Sequence, residues 1–400
     1  MATERAYWLA WSKIKNVGPV AIKRLWEHFG SLAEAWQAPA NKLVEVDGIG
    51  LLIADKITVQ RPKLNPIDLL AQHEKENQSF WTPADPDYPA LLFAINDPPP
   101  VLYYRGNLRL NDLNRLTVGI VGTRSPSSYG KRWTRKLSGH LTQEGAVIIS
   151  GLALGIDTDA HTSCLQQRGS TVAVVGTGVD QVYPQHNVEL HRKIVETGLV
   201  ISEYTDGTGP DRKHFPQRNR IIAGLSRAIL VTEAPAKSGA LITARLANEY
   251  CREVYALPCS LDNQTGSGCL KIISQGAQMI LGAQELIQAL EEIPPVSLVT
   301  PAQTHIPAER EANAVEQLEA FAETKTRTSE TLNPDISSTS HDLSPLLIKV
   351  LNAVPVEPMA LDQIVPNTHA SVGDVLSALI QLEILGLVTQ LPGSSQYQRA

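Results

Sequence analysis

The amino-acid sequence has no run of apolar residues approaching the roughly 18 that a membrane-spanning helix needs. The opening segment MATERAYWLAWSKIKNVG contains no apolar stretch long enough for a secretory signal. We therefore expect a cytoplasmic protein that contacts no membrane. The four cysteines form no C-x-x-C pair and have no paired histidines nearby, so we expect reduced thiols and no metal site. They are Cys164, Cys251, Cys259 and Cys269.

Two nucleotide-binding motifs are also missing. No G-x-x-x-x-G-K-[ST] occurs, which excludes a P-loop. The segment GIVGTRSP departs from G-x-G-x-x-G, GTGVDQ lacks the third glycine, and the strand that ends at Ser150 supplies no acid for a ribose hydroxyl. We therefore expect neither NAD nor any other cofactor. No nucleophile stands beside an obvious base, so the sequence predicts binding without a catalytic residue.

Charge is unevenly distributed along the 400 residues. The whole chain has a formal net charge of -6 and an ordinary globular composition, with 43% hydrophobic and 19% charged residues. Residues 113–252 nevertheless hold 17 Lys and Arg against 11 Asp and Glu, whereas residues 291–342 hold 10 acids against 3 bases. Such asymmetry between segments predicts a polyanionic partner for the basic middle of the chain.

The pattern of the chain predicts four segments. Residues 1–70 form a helical domain with glycine turns in NVGPVAIKRLWEHFGS and DGIGLLIADKI, typical of helix-hairpin-helix or SAM-like modules, although a plain helical bundle uses glycine in the same way. Residues 71–292 form the central domain. Residues 293–342 are rich in Pro, Thr, Ser and Glu and predict a flexible acidic linker. Residues 343–400 give three helices and a hairpin, the order of a winged helix.

The central domain has the pattern of a Rossmann-like α/β fold. Apolar runs of strand length alternate with helix-length segments, and each run is continuously apolar rather than alternating. This predicts parallel strands buried on both faces, in a doubly wound, mostly parallel sheet. The runs are TVGIVGT, AVIIS, TVAVVGT, LVISEY, AILVTEA, EVYALP and QMILG.

The loops that follow these strands carry the candidate binding residues. Ligands of doubly wound sheets bind where the strands end, because loops and helix N-termini converge there. A basic groove with an aromatic ring suits single-stranded nucleic acid, since cations follow the phosphates and the ring stacks on an unpaired base. The candidates are Gly122, Arg124, Ser128, Arg212, Lys213, Phe215, Arg218, Asn219, Arg220, Lys237, Ser238 and Gly239.

Structural roles compete with binding at several of these positions. Arg218 and Arg220 are equally compatible with internal ion pairs to Asp157, Asp159 or Glu203. Phe215 also suits a core position, and Ser127, Ser128 and Ser238 suit helix caps. Asp157 and His161, in GIDTDAH, are expected to fix their loop. Arg124 and Lys237 are favoured as ligand contacts.

Six segments occurring in order resemble the DNA-processing protein A (DprA/Smf) family. They are VGTRSPSSYG, SGLALGIDTDAH, GTGVDQVYP, SEYTDGTGP, FPQRNRIIAGLS and EAPAKSGALITA, and they span about residues 115 to 260. The resemblance implies a non-enzymatic cytoplasmic protein that binds and protects single-stranded DNA in natural transformation, loads the RecA recombinase and forms a homodimer through its Rossmann-like domain. It places DNA contacts at Arg124, at Phe215 with Arg212, and at Lys237 with Ser238.

The sequence departs from the family pattern at three positions. Leu154 stands where the family has an arginine, Cys259 replaces a glycine after Pro258, and Cys269 replaces an asparagine. The expected recognition helix of the winged helix, SVGDVLSALIQLEILGL, has Asp374 and Glu383 but no Lys or Arg, so we expect it to contact protein rather than duplex DNA.

The sequence also allows an alternative function on the same fold, that of a phosphoribohydrolase-like, nucleotide-processing enzyme. Enzymes of that kind, which resemble lysine-decarboxylase-like proteins, have P-G-G-x-G-T at the start of the helix that follows EAPA. Here Lys237 and Ser238 take the place of the two glycines, and Glu233 is the only candidate acid.

Overall fold

The computed structural model describes residues 2–76, 79–108 and 115–293, and part of the segment between 345 and 399. The chain divides into two compact units, residues 1–310 and 311–400. Within the described residues, no helix combines the length and the apolar character needed to cross a membrane.

The first unit begins with six helices that pack around tryptophans. Pro19 at the start of the second helix and Gly30 in the left-handed region at its end set its limits. Trp8 and Trp11 are fully buried, and the Trp11 indole N–H donates to the Leu32 carbonyl. The helices are α1 (Ala2–Ser12), α2 (Pro19–Phe29), α3 (Leu32–Gln37), α4 (Ala40–Leu43), α5 (Leu51–Gln60) and α6 (Pro66–Glu76). Residue 70 lies inside α6, and the assignment of residues 1–70 to a separate domain stays a prediction.

A nine-stranded sheet forms the centre of the first unit. All seven predicted strands are present, as β3 to β9, and they pair in parallel, which confirms the predicted Rossmann-like sheet. Two further strands, β1 and β2, add to one side in antiparallel pairing. The strands are β1 (Phe80–Trp81), β2 (Leu102–Gly106), β3 (Thr117–Gly122), β4 (Val147–Ser150), β5 (Thr171–Val174), β6 (Leu199–Ser202), β7 (Ala228–Glu233), β8 (Glu253–Ala256) and β9 (Gln278–Met279).

Helices cover both faces of the sheet. In β7, Ile229 and Val231 face one hydrophobic core, while Leu230 faces another. The first core also contains Trp8, so the helical front and the sheet share apolar contacts. Burial on both faces explains why the strands read as continuous apolar runs. The helices are α7 (Ala90–Phe93), α8 (Ser128–Gln143), α9 (Ile156–Gln166), α10 (Val188–Thr197), α11 (His214–Leu225), α12 (Ala240–Glu249), α13 (Ser267–Ser274) and α14 (Ala283–Glu291).

The strand order creates a crevice at one edge of the sheet. The strands lie in the order β1-β2-β6-β5-β4-β3-β7-β8-β9, so the direction of winding reverses between β3 and β7. At such a switch point the loops leave neighbouring strands toward opposite faces, and ligands bind between them. The segments after β3 and β7 are GTRSPSS and EAPAKSG.

The second unit contains part of the predicted winged helix. Its described elements are α15 (Pro345–Ala353) and a three-stranded antiparallel sheet of β10 (Met359–Ala360), β12 (Gln396–Arg399) and β11 (Val388–Gln390). The β11–β12 hairpin confirms the predicted one. Val350, Leu379 and Leu382 are fully buried in its core. The predicted linker after residue 293, together with Asp374 and Glu383, lies outside the described residues.

Candidate nucleic-acid interface

A cleft of about 620 Å³ opens at the switch point, between the loops that follow β3 and β7 and the helix α11. We refer to it below as the cleft. It brings together eight predicted site residues from three separated stretches of sequence. These are Gly122, Arg124, Arg212, Phe215, Arg218, Asn219, Ser238 and Gly239.

Hydrogen bonds across the switch point fix the loop after β3. The Thr123 N–H donates to the backbone carbonyl of Glu233 over 2.7 Å. The buried Glu233 carboxylate accepts from the Ser127 N–H at 2.7 Å and from the Ser127 hydroxyl at 2.6 Å. The Ser127 Oγ in turn accepts from the Gly130 N–H at 3.1 Å, which confirms Ser127 as the cap of α8. The loop that carries Arg124 is therefore held at both of its ends.

Close backbone packing requires glycine at two positions beside the cleft. Gly155 has φ +81°, and a Cβ there would lie 2.5 Å from the Thr123 carbonyl oxygen. A Cβ on Gly122 would lie 2.5 Å from Ile156 Cγ1. Gly122 itself does not have a positive φ, so its role is to leave space for α9.

Arg124 and Phe215 lie against each other inside the cleft. The Arg124 guanidinium carbon is 5.6 Å from the centre of the Phe215 ring, within the range of a cation–π contact. Arg124 is exposed and Phe215 is half-buried, and among the described residues Arg124 has no carboxylate partner. Phe215 is thus a wall of the cleft and not a core residue. The pair presents a free cation and an aromatic face side by side.

Arg218 is buried and has a structural role. Its side chain is only 4% exposed, and Nη1 donates to the carbonyls of Gly151, at 2.6 Å, and Val174. Burial lowers the pKa of Arg218 to about 10 despite the nearby Asp157 carboxylate. Arg218 therefore joins the ends of β4 and β5 beneath the cleft, and its guanidinium is not free to follow a phosphate chain.

Arg220 also has structural contacts, and it lies outside the described lining of the cleft. Its Nη2 donates to the Glu203 carboxylate in an ion pair, and its Nε lies 3.5 Å from an Asp97 carboxylate oxygen. Both arginines sit beyond the first turn of α11, which begins at His214. Two carboxylates match the charge of Arg220, which favours the structural role that the sequence also allows; a DNA contact at Arg220 stays a prediction.

Hydrogen bonds to a buried carboxylate fix the loop after β4. Asp157 Oδ2 accepts from the N–H groups of Gly151 at 3.1 Å and Ala153 at 3.3 Å, and burial raises its pKa. His161 is fully buried, and its Nδ1 lies 2.7 Å from the Thr171 hydroxyl. Burial, reinforced by the Arg218 charge, lowers the pKa of His161 to about 3. Asp157 holds the loop in place, as predicted, whereas His161 joins α9 to β5.

Three other predicted residues lie at the margins of the cleft. Ser128 is the exposed first residue of α8, and Lys213 is exposed immediately before α11. Lys237 is exposed next to Ser238, whose hydroxyl accepts from the Ala240 N–H at 3.2 Å at the start of α12. None of the three belongs to the described lining of the cleft. Asn219 does belong to the lining of the cleft, and its side-chain amide donates to the Gly239 carbonyl at 3.4 Å, which joins α11 to the segment before α12.

Two residues that sequence reasoning did not select lie beside Phe215. The Tyr183 ring is 5.5 Å from the Phe215 ring, and Tyr183 belongs to the lining of the cleft. Leu154, singled out only as a missing arginine, lies with both rings around a smaller recess next to the cleft. The feature of the sequence that points to Tyr183 as a site residue is its position after β5, in a glycine-containing loop at the same edge of the sheet.

The cysteine departures lie away from the described lining of the cleft. Cys269 is buried, and its Sγ contacts the Val231 carbonyl at 3.5 Å. Cys259 packs against Gly266, where a Cβ would lie 2.4 Å from its Sγ. Burial raises the pKa of both thiols. Both side chains pack outside the described lining of the cleft.

Comparison with known proteins identifies one relative along nearly the whole chain and another along about half of it. The family described as DNA recombination-mediator protein A matches residues 79–291, and the DprA winged helix domain matches residues 335–394. Protein Smf from Synechocystis sp. is 50% identical over 99% of both chains. DNA processing protein DprA from Bacillus subtilis is 39% identical over 55% of this chain and 73% of its own length.

A solved structure supports the same relationship. The X-ray structure of DNA processing protein A from Streptococcus pneumoniae aligns with 72% of this chain and 96% of its own, at a TM-score of 0.61 and 34% identity. The two family matches cover the strands β1 to β9 and most of the winged-helix segment. The chain therefore belongs to the DprA/Smf family of DNA-processing proteins.

Proposed function

We propose that this protein binds single-stranded DNA in the cleft and protects it. The observation that carries the proposal is the placement of an exposed, carboxylate-free Arg124 against the Phe215 ring, with the exposed Arg212 in the same lining. Cations of this kind neutralise phosphates, and an accessible ring stacks on a base. Lys213 and Lys237 are exposed beside lining residues of the cleft and add positive charge next to it.

The aromatic wall favours an unpaired strand over a duplex. In a duplex the faces of the bases are covered by their neighbours, so a ring inside a cleft reaches them only after unstacking, which costs a few kcal/mol. The fixed loops around the cleft reduce the entropy lost on binding, because Glu233 and Asp157 already hold their backbone in place.

We propose further that the protein forms a homodimer and loads the RecA recombinase onto the bound strand in the cytoplasm during natural transformation. Membership in a DNA-processing family supports this role. β9 lies at the edge of the sheet, and the adjacent side chains of Met279 and Leu281 are exposed. An open strand edge with apolar side chains favours pairing with a second copy through the Rossmann-like domain.

The enzymatic alternative, a phosphoribohydrolase-like activity, depends on Glu233 as its acid. The Glu233 carboxylate is buried and accepts hydrogen bonds from Ser127 and from the Thr265 hydroxyl at 2.9 Å. It is absent from the described lining of the cleft. An acid used in this way serves the structure of the loop, so we favour binding without catalysis.

A titration of labelled oligonucleotides tests the proposal. We expect the protein to bind a single strand more tightly than a duplex of equal length, and to speed assembly of recombinase filaments on that strand. Equal affinity for both forms would contradict the proposed role of the cleft. Release of free base from nucleoside monophosphates would instead support the enzymatic alternative.

A further inference from the structure

A small recess of about 50 Å³ adjoins the cleft and shares Arg124, Tyr183 and Phe215 with it. Leu154 completes its wall. The recess is therefore continuous with the cationic surface and adds an aliphatic side chain to it.

The walls of the recess are apolar surfaces left open to solvent. Leu154 is 40% exposed and Tyr183 is 42% exposed, although both belong to folded loops. The backbone groups of Gly151, which also line the recess, are already used: its carbonyl accepts from Arg218 and its N–H donates to Asp157. The recess thus offers carbon surface and an aromatic ring to a ligand rather than unused backbone donors.

We propose that Tyr183 and Leu154 bind an unpaired nucleobase, which enters the recess edge-first while its phosphate stays with Arg124 and Arg212. This inference rests on the proposed binding of single-stranded DNA and assigns two further contact residues to that site. A base matches the recess because it is flat, apolar on its faces and attached to an anion that the adjoining cations hold.

The position of the cation decides between a base and a phosphate as the occupant. Arg124 lies over Phe215, 5.6 Å from the ring centre, at the boundary between recess and cleft. Arg124 is the one free cation in the described lining of the recess, because Arg218 already donates to Gly151 and Val174. A phosphate in the recess would lose water against Leu154 and Tyr183, whereas in the cleft it reaches both Arg124 and Arg212. A base loses little by the same transfer and gains the stacking contact.

The test compares an oligothymidylate with an abasic strand of the same length and charge, using the full chain. The variants are Tyr183→Ala, Tyr183→Phe, Leu154→Ala and Leu154→Arg. Leu261→Ala is the matched control, because Leu261 is 90% exposed and outside the described lining of both cavities.

We expect Tyr183→Ala to weaken binding of the base-bearing strand about tenfold, whereas Tyr183→Phe keeps the ring and the affinity. Leu154→Ala weakens the same strand about threefold. Neither alanine variant changes binding of the abasic strand or the dependence on salt. Leu154→Arg makes the slope of log K against log salt steeper by about 0.7, because it adds a cation.

Two failures are distinguishable. If the unaltered protein binds neither strand, the proposed function fails and the recess has no ligand of this class. If it binds both strands but the Tyr183→Ala and Leu154→Ala variants keep the ratio of base-bearing to abasic affinity, only the inference about the recess is wrong. Equal losses on both strands would also overturn it, since they indicate a structural role.

Discussion

Replacing Arg124 or Arg220 with alanine removes one positive charge in each case, but the structure predicts that the two changes affect different properties of the protein. Arg124 is exposed, makes no ion pair among the described residues and lies in the cleft. Arg220 is nearly buried and paired with Glu203 and Asp97. The first substitution is therefore expected to change DNA binding, and the second to change folding.

The magnitude for Arg124 follows from counterion release. Each neutralised phosphate contributes about 0.7 to the slope of log K against log salt for a single strand. With Arg124, Arg212 and Lys237 as contacts, the slope is about -2, and affinity falls about 20-fold between 50 and 200 mM salt. Arg124→Ala should reduce the slope to about -1.4 and weaken binding about fivefold at 0.1 M salt.

The magnitude for Arg220 follows from its buried pairing. Removing one partner leaves carboxylates in a partly buried site without their cation, and such changes cost about 3 kcal/mol in the free energy of unfolding. Exposed side chains such as Arg124 change that free energy by about 0.5 kcal/mol or less. Urea unfolding followed by circular dichroism measures this difference between the two variants.

Fluorescence anisotropy with a labelled single strand, repeated at several salt concentrations, measures the binding. Lys193→Ala serves as the charge control, because Lys193 is exposed on α10, which runs from the binding edge toward the opposite edge of the sheet. An unchanged salt slope for Arg124→Ala, or a stable Arg220→Ala protein with a reduced slope, would refute this division of the arginines.

Three other predictions concern separate parts of the molecule. Deleting residues 293–400 should change single-strand affinity less than twofold in the same assay; a collapse of affinity would place part of the interface in the C-terminal segment. Glu233→Gln should lower the unfolding free energy by about 2 kcal/mol, measured in urea, because it disrupts hydrogen bonds to Ser127 and Thr265. Since the pKa of His161 is about 3 when folded, the unfolded chain binds an extra proton below about pH 6.5. Stability should therefore fall as pH falls from 6.5 toward 3, and His161→Asn should show a smaller fall between the same limits in urea titrations; equal pH dependence would contradict the buried neutral imidazole.

The sheet could be predicted because its signal is local. Strands β3 to β9 are buried on both faces, so each appears in the sequence as a short continuous apolar run between helix-length segments. The loops after β3 and β7 could be assigned to one edge for a similar reason, since parallel strands end on the same side. Arg124 follows β3 and Phe215 follows β6, another parallel strand, so the sequence predicts that both lie at this edge.

The roles of the arginines in RNR could not be resolved in this way. Arg218 donates to Gly151, 67 residues earlier in the chain, and Arg220 pairs with Glu203 and Asp97 from different loops. Tyr183 and Leu154 come from the segments after β5 and β4, and neither carries a charge that marks it as a contact. The sequence determined the strands, the edge at which the candidate loops meet and the supply of cations, because these depend on neighbouring residues. Only the tertiary structure decided which cations are free and which side chains surround the recess, because burial and pairing are set by residues that are distant in the chain.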